Sequence, residues 1–112
     1  MKIIVVTASK LLGEGLASCF LHRAEFSLEA RVSDLPGLRQ ILDTVQTDVI
    51  LIDVTQDIDF DEVREIASGR ADATLVALGV NEERHDVVRC GRAGFRGYVA
   101  RDASFEQLCR TL

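Results

Sequence analysis

The chain has no tryptophan, one tyrosine and only three cysteines in 112 residues. Cys19, Cys90 and Cys109 are odd in number and widely spaced, so neither a disulfide framework nor a zinc site is indicated. They read instead as small buried hydrophobes on helices, and a reducing cytoplasm fits. With so few aromatic rings, little is available to stack on a flavin. Basic residues are not in excess: the formal net charge of -5 argues against nucleic-acid binding by this domain alone. No apolar run approaches the length of a membrane span. The opening "MKIIVV" enters a strand-like run with no small-residue cleavage site, so no signal peptide is expected. Repeats, linkers and low-complexity segments are absent as well. What is there, 47% apolar and 28% charged, has the composition of an ordinary soluble domain with one core.

The stretch "TDVILIDVTQ" (47–56) carries the most information. Val49, Ile50, Leu51 and Ile52 run without a break into a carboxylate, Asp53. Such a run suits a strand covered on both faces, as in a parallel sheet flanked by helices. In those sheets ligands and chemistry sit at the carboxyl ends of the strands. Asp53 is therefore an active-site group or a strand-ending cap.

Strand-like runs fall at 2–6, 28–32, 48–53, 74–78 and 97–100. Helical patterns separate them. The first places Leu12, Leu16, Cys19 and Phe20 on one face, and the second Leu35, Leu38, Ile41, Leu42 and Val45, with Pro36 in a first turn after Asp34. The third has Phe60, Val63, Ile66 and Ala67. The fourth has Val87, Val88 and Gly91, and "AGFRG" then supplies glycines to stop it. The fifth begins near Ser104, an N-cap, with Phe105, Leu108 and Cys109 on one face. Five strands separated by helices of this size imply right-handed βαβ units and a parallel three-layer α/β sandwich with five helices, and the fold expected is the flavodoxin-like one, a five-stranded parallel sheet in the order 2-1-3-4-5. In that order the crevice lies between the first and third strands, which sets "TAS" beside Asp53. The chain stops at "FEQLCRTL" without a C-cap glycine, so it is expected to be the front domain (1–112) of a longer protein.

In this setting the chain resembles a response-regulator receiver domain over essentially its whole length, most closely the NarL/LuxR-type branch. "KLLGEGLASCF" is similar to that branch's first helix, and "DVILIDV" to its third strand with the phospho-accepting aspartate. "EERHDVVRCGRAGFRGYVARDAS" is similar to its fourth helix, fifth strand and entry to the fifth helix. The resemblance implies phosphoryl transfer to the aspartate, assisted by magnesium and positioned donors. The family supplies an acidic pair after the first strand, the acceptor, a Ser or Thr after the fourth strand and a Lys after the fifth. Here the acidic pair falls on Thr7 and Ala8, the acceptor on Asp53, the hydroxyl on Gly79 and the lysine on Arg101. Tyr98 matches the aromatic switch position. With four of five positions changed, Mg2+ is expected to bind weakly, through Asp53 if at all, and no other cofactor is expected. Arg101 could form a charge-assisted pair with Asp53, and Thr7 and Ser9 could add hydrogen bonds; the sequence does not decide whether Arg101 reaches Asp53.

The leading expectation is thus a non-enzymatic, degenerate receiver. It would be held in one state and would control a C-terminal helix-turn-helix DNA-binding output domain. Homodimerisation is expected through the first and fifth helices or through the fourth helix and fifth strand. A second reading keeps a phosphoacceptor at Asp53, fed by a histidine kinase. A third makes Thr7, Ser9 and Lys10, at a helix N-terminus, an anion cradle for a sensed ligand. Asp57, Asp59, Asp61 and Glu62 are either substitute metal ligands or a solvated first turn complementing the helix dipole. The run "EER" (82–84) is read as a helix start, His22 and His85 as surface residues, and Tyr98 as a packed strand residue.

Overall fold

A computed structural model describes residues 1–70 and 72–112. Strands and helices alternate: β1 (Lys2–Val6), α1 (Lys10–Leu21), β2 (Ser27–Val32), α2 (Leu35–Ile41), β3 (Val49–Asp53), α3 (Phe60–Gly69), β4 (Thr74–Val80), α4 (Arg84–Ala93), β5 (Gly97–Ala100) and α5 (Phe105–Thr111). Every strand pair is parallel and the order is β2-β1-β3-β4-β5, the flavodoxin-like arrangement expected from the alternation.

The period-2 alternation of side chains along each strand divides the core in two. Ile4, Val6, Ile50, Ile52, Leu75 and Ala77 face α2, α3 and α4, where they meet Leu38, Val63 and Ile66. Ile3, Val5, Leu51, Val76 and Leu78 point the other way and meet Leu16 and Phe20 of α1 and Leu108 of α5. Each fully buried Ile or Leu contributes about 1.5–3 kcal/mol. An unbroken apolar strand is therefore what a sheet buried on both faces requires.

The helix ends follow from local chemistry. Ser9 Oγ accepts the Leu12 N–H at 3.1 Å to start α1, and Asp34 accepts the Gly37 N–H at 2.7 Å to start α2, with Pro36 in the first turn. Ser104 and Gln107 close a reciprocal capping box on α5. Gly94 ends α4 in the left-handed region (φ 108°), where a Cβ would lie 2.5 Å from Ala67 Cβ.

Several expectations need correction. β4 does not end at 78; it reaches Val80, because pairing with β5 resumes after a register shift between Leu78 and Val80. α2 ends at Ile41, so Val45 lies beyond the helix while still packing on the core. α4 turns Cys90 and Ala93 inward, not Val88 and Gly91, and Val88 is 40% exposed. Of the cysteines expected inside, only Cys90 is buried; Cys19 is exposed and Cys109 half-buried. Leu16 and Phe20, four residues apart, define the inner stripe of α1, and Cys19 falls beside it.

Candidate functional site

β1 and β3 are neighbours, so their carboxyl ends bring Thr7 and Asp53 together at the crevice. Asp53 is 2% exposed, one of two buried polar residues among those described, the other being Thr47. A carboxylate removed from water needs replacement partners. Asp53 has three. Thr7 Oγ1 donates to Oδ2 at 2.7 Å, and Oδ1 accepts both the Thr55 hydroxyl at 2.6 Å and the Thr55 N–H at 2.9 Å. The two Thr55 bonds form an Asx-type turn that bends the chain back immediately after β3. Sequence reasoning gives Thr55 no role. The signal available was the hydroxyl two residues after a strand-ending Asp.

Gly79 lies beside Thr55. Its φ of 87° is in the left-handed region, and a Cβ placed there would run into Thr55 Cγ2. The missing side chain at 79 and the threonine at 55 are therefore one packing arrangement. The strand β4 position gives up its side chain, and a hydroxyl from the loop after β3 reaches the carboxylate.

The Arg101–Asp53 pair that the sequence left open is not formed. Arg101 is exposed, its N–H is bonded to Val80 O at 3.0 Å, and Asp53 has no cation within ion-pair distance among the described residues. The backbone at Arg101 is tied to β4 just past the register shift between Leu78 and Val80. Of the anion-cradle residues, Thr7 and Ser9 are already engaged. Ser9 Oγ caps Leu12, the Ser9 N–H donates to Thr7 Oγ1 at 3.1 Å, and Ser9 makes no bond to Asp53. Lys10 is exposed on the first turn of α1, and Ala8 is exposed with no polar side chain to offer.

A cleft of about 280 Å³ opens beneath Asp53 and carries further acids. Asp59 caps α3 by accepting the Asp61 and Glu62 N–H groups, Glu62 pairs with Arg39 at 3.2 Å, and Asp61 pairs with Arg64 at 3.0 Å. These acids serve a helix start and surface ion pairs. The ligand atoms that do converge within 4.8 Å among the described residues belong to Glu83, His85 and Asp86 at the start of α4. A receiver-type magnesium ion needs several hard oxygens at one point. The residues at Asp53 do not fit it: positions 7 and 8 offer no carboxylate, and three donors already occupy most of the lone pairs of Asp53.

Tyr98 sits half-buried on β5 with its hydroxyl donating to Glu82 at 3.1 Å. That bond holds the phenol proton and raises its pKa. A 570 Å³ groove between α1 and α5 runs past Leu11, Leu12, Leu16, Phe105 and Leu108. Phe20 and Phe105 pack edge-on across the two helices at 5.1 Å.

A parallel sheet of this order, with a buried carboxylate closing β3, is the fold of response-regulator receiver domains. Solved structures agree. The receiver domain of RcsB from Salmonella enterica serovar Typhimurium, determined with the phosphomimetic BeF3-, aligns with a TM-score of 0.81 and 13% identity, covering 93% of this chain and 79% of that one. A LuxR-family two-component response regulator from an Aurantimonas species aligns at 0.86 and 17% identity, covering 97% and 79%. RcsB, as two dimers bound to two parallel DNAs, aligns at 0.85 and 13% identity, covering 98% of this chain but only 57% of the RcsB chain. No protein-family profile matches the sequence. No curated protein matches it either.

Proposed function

We propose that the chain is a receiver-type signalling module in which Asp53 is a hydrogen-bonded structural hub in place of a metal-assisted phosphoacceptor. The observation that carries this reading is that both Asp53 oxygens are held by Thr7 and Thr55. A donor phosphoryl group must approach one of these oxygens, and the three charge-assisted hydrogen bonds they accept occupy three of about four lone-pair sites and draw off the charge that would attack phosphorus. Thr7, Ala8, Gly79 and Arg101 supply neither a carboxylate for a metal nor the family's hydroxyl and lysine. Control would then pass through docking and self-association onto a helix-turn-helix DNA-binding output domain. RcsB, a protein of the same fold, is seen as dimers on DNA, which supports this role. The α1/α5 face is the contact surface of this reading, supported by Leu11, which borders the groove between the two helices and is 83% exposed.

A second reading rests on one specific feature: Asp53 is retained at the carboxyl end of β3, facing a cleft that also holds Asp57 and Asp59. In that case a histidine kinase and Mg2+ would phosphorylate it. The discriminating experiment treats the purified chain with acetyl phosphate, with and without Mg2+, and reads intact mass, with Asp53→Asn as control. No gain over hours is the expected result. A magnesium-dependent gain of one phosphoryl group, absent from Asp53→Asn, replaces this reading with the phosphoacceptor. No helix among the described residues is long and apolar enough to cross a membrane.

A further inference from the structure

At the opposite edge of the sheet from Asp53, where β4 begins and β5 is about to begin, four arginines surround a cleft of about 350 Å³. Arg64 comes from α3, Arg70 from the α3–β4 turn, Arg92 from the last turn of α4 and Arg96 from the α4–β5 turn. The floor is small and apolar, formed by Ala67, Ala73, Leu75 and Ala93. So dense a cluster stands out in a chain with formal net charge -5.

Part of this charge has a structural use. Arg64 Nε donates to Arg92 O at 3.3 Å and Nη1 pairs with Asp61, while Arg70 Nη1 donates to Leu42 O at 2.7 Å. One cation near each helix C-terminus also complements its dipole. Two observations exceed those needs. The side chains of Arg92 and Arg96 make no hydrogen bond or ion pair among the described residues, although both border the cleft. Arg70 is also paired with Asp72, Nη2 donating to Oδ2 at 3.5 Å and Nε lying 3.3 Å from Oδ1, yet its buried Nε makes no hydrogen bond. A buried N–H that makes no hydrogen bond is costly even beside an ion-pair partner.

Guanidinium forks match phosphate oxygens two at a time, and several around one small cleft suit an anion with more than one charged centre. The cleft lies in the size range of small-ligand sites. We propose that it binds a small polyphosphate anion, gripped by Arg92 and Arg96 with Arg64 and Arg70 as its walls. The site is separate from Asp53 and does not depend on how Asp53 is read.

The test is calorimetric titration of the whole chain with tripolyphosphate, ATP and AMP, at two salt concentrations, beside a glutamate-rich peptide. The expected result is saturable one-to-one binding of tripolyphosphate or ATP that weakens with salt. AMP should bind at least about tenfold more weakly than ATP, since it lacks the linked phosphates. If the shared chemistry is phosphate alone, tripolyphosphate matches ATP; a preference for ATP assigns the apolar floor to the nucleoside. Arg92→Glu/Arg96→Glu should weaken binding by about tenfold or more while the chain still unfolds cooperatively in urea, at a slightly lower midpoint because Arg92 no longer complements the α4 dipole. Arg101→Ala should leave binding unchanged. The absence of saturable binding overturns the proposal. So does an Arg92→Glu/Arg96→Glu protein that binds within about twofold of the parent. Tighter binding of the acidic peptide than of tripolyphosphate also overturns it, in favour of a protein partner.

Discussion

Replacing Thr7 or Thr55 with valine keeps the branched shape and removes one hydroxyl donor to Asp53, and at Thr7 also the acceptor of the Ser9 N–H. A hydrogen bond to a charged group contributes about 1.5–3 kcal/mol. The two positions should not cost the same. Thr55 is exposed, so water can reach Asp53 Oδ1 once the hydroxyl is gone, and the Thr55 N–H still donates at 2.9 Å. Its loss belongs at the low end, about 1.5 kcal/mol. Thr7 is half-buried and supplies the one donor to Oδ2 among the described residues, at 2.7 Å; it also receives the Ser9 N–H at 3.1 Å. Thr7→Val therefore leaves a buried oxygen and a backbone N–H without partners, and should cost about 3 kcal/mol. For a domain of this size that is roughly a 10 °C fall in Tm. Urea unfolding of the two variants gives both numbers, and the m-value shows whether the transition stays two-state. A cycle with Asp53→Asn isolates the pair term, expected at about 1 kcal/mol or more. Variants that both fall within about 0.5 kcal/mol of the parent would refute the hub.

Gly79→Ala should cost well over 1 kcal/mol, because it combines a left-handed backbone with a clash against Thr55 Cγ2; adding Thr55→Ala should relieve the clash and leave the backbone strain, as urea midpoints will show. Ser104→Ala opens the capping box on α5 and should lower stability by about 1 kcal/mol in the same assay. Timed alkylation with mass readout should label exposed Cys19 first and Cys90 only on unfolding, since Cys90 is buried and desolvation raises its thiol pKa. Arg23, 3.0 Å from Glu25, holds that carboxyl below its ordinary value of 4.5. With the folded value depressed, the pair stabilises at neutral pH and the gain is lost as pH falls below about 4.5, so Glu25→Gln should flatten the acid limb of the stability curve.

The sheet was legible because its signal is strong and local. Two of the strands, β1 and β3, are unbroken apolar runs, and Ser9, Asp34 and Ser104 mark helix starts by hydroxyl or carboxylate chemistry alone. Asp53 was legible as the charge ending β3. Its partners were only half so. Thr7 follows from strand order, but Thr55 and Arg101 depend on how the chain turns after a strand. There the pairing of β4 with β5 shifts register between Leu78 and Val80, and no periodicity records it. The arginine cleft was invisible for another reason. Its four side chains lie at 64, 70, 92 and 96 on separate elements, and only the packing of α3 against α4 brings them together.

Thr7, Thr55 and Gly79 form a unit that resists reversion one residue at a time. Putting an acid at position 7 would replace a donor 2.7 Å from Asp53 with a second negative charge. Two like charges about 4 Å apart repel by roughly 4 kcal/mol at an effective dielectric near 20. That repulsion is relieved by a proton shared between the two acids or by a bound cation, to which Ala8 offers no second carboxylate. Putting a serine at position 79 meets Thr55 before its hydroxyl reaches the carboxylate. Removing Thr55 first strips Asp53 of its shortest hydrogen bond, at 2.6 Å. Each single step toward a metal-assisted site is therefore downhill in stability before any phosphorylation is regained. On the reading proposed above, Asp53 persists because three donors have been built around it, and a buried hydrogen-bonded carboxylate is costlier to remove than to keep.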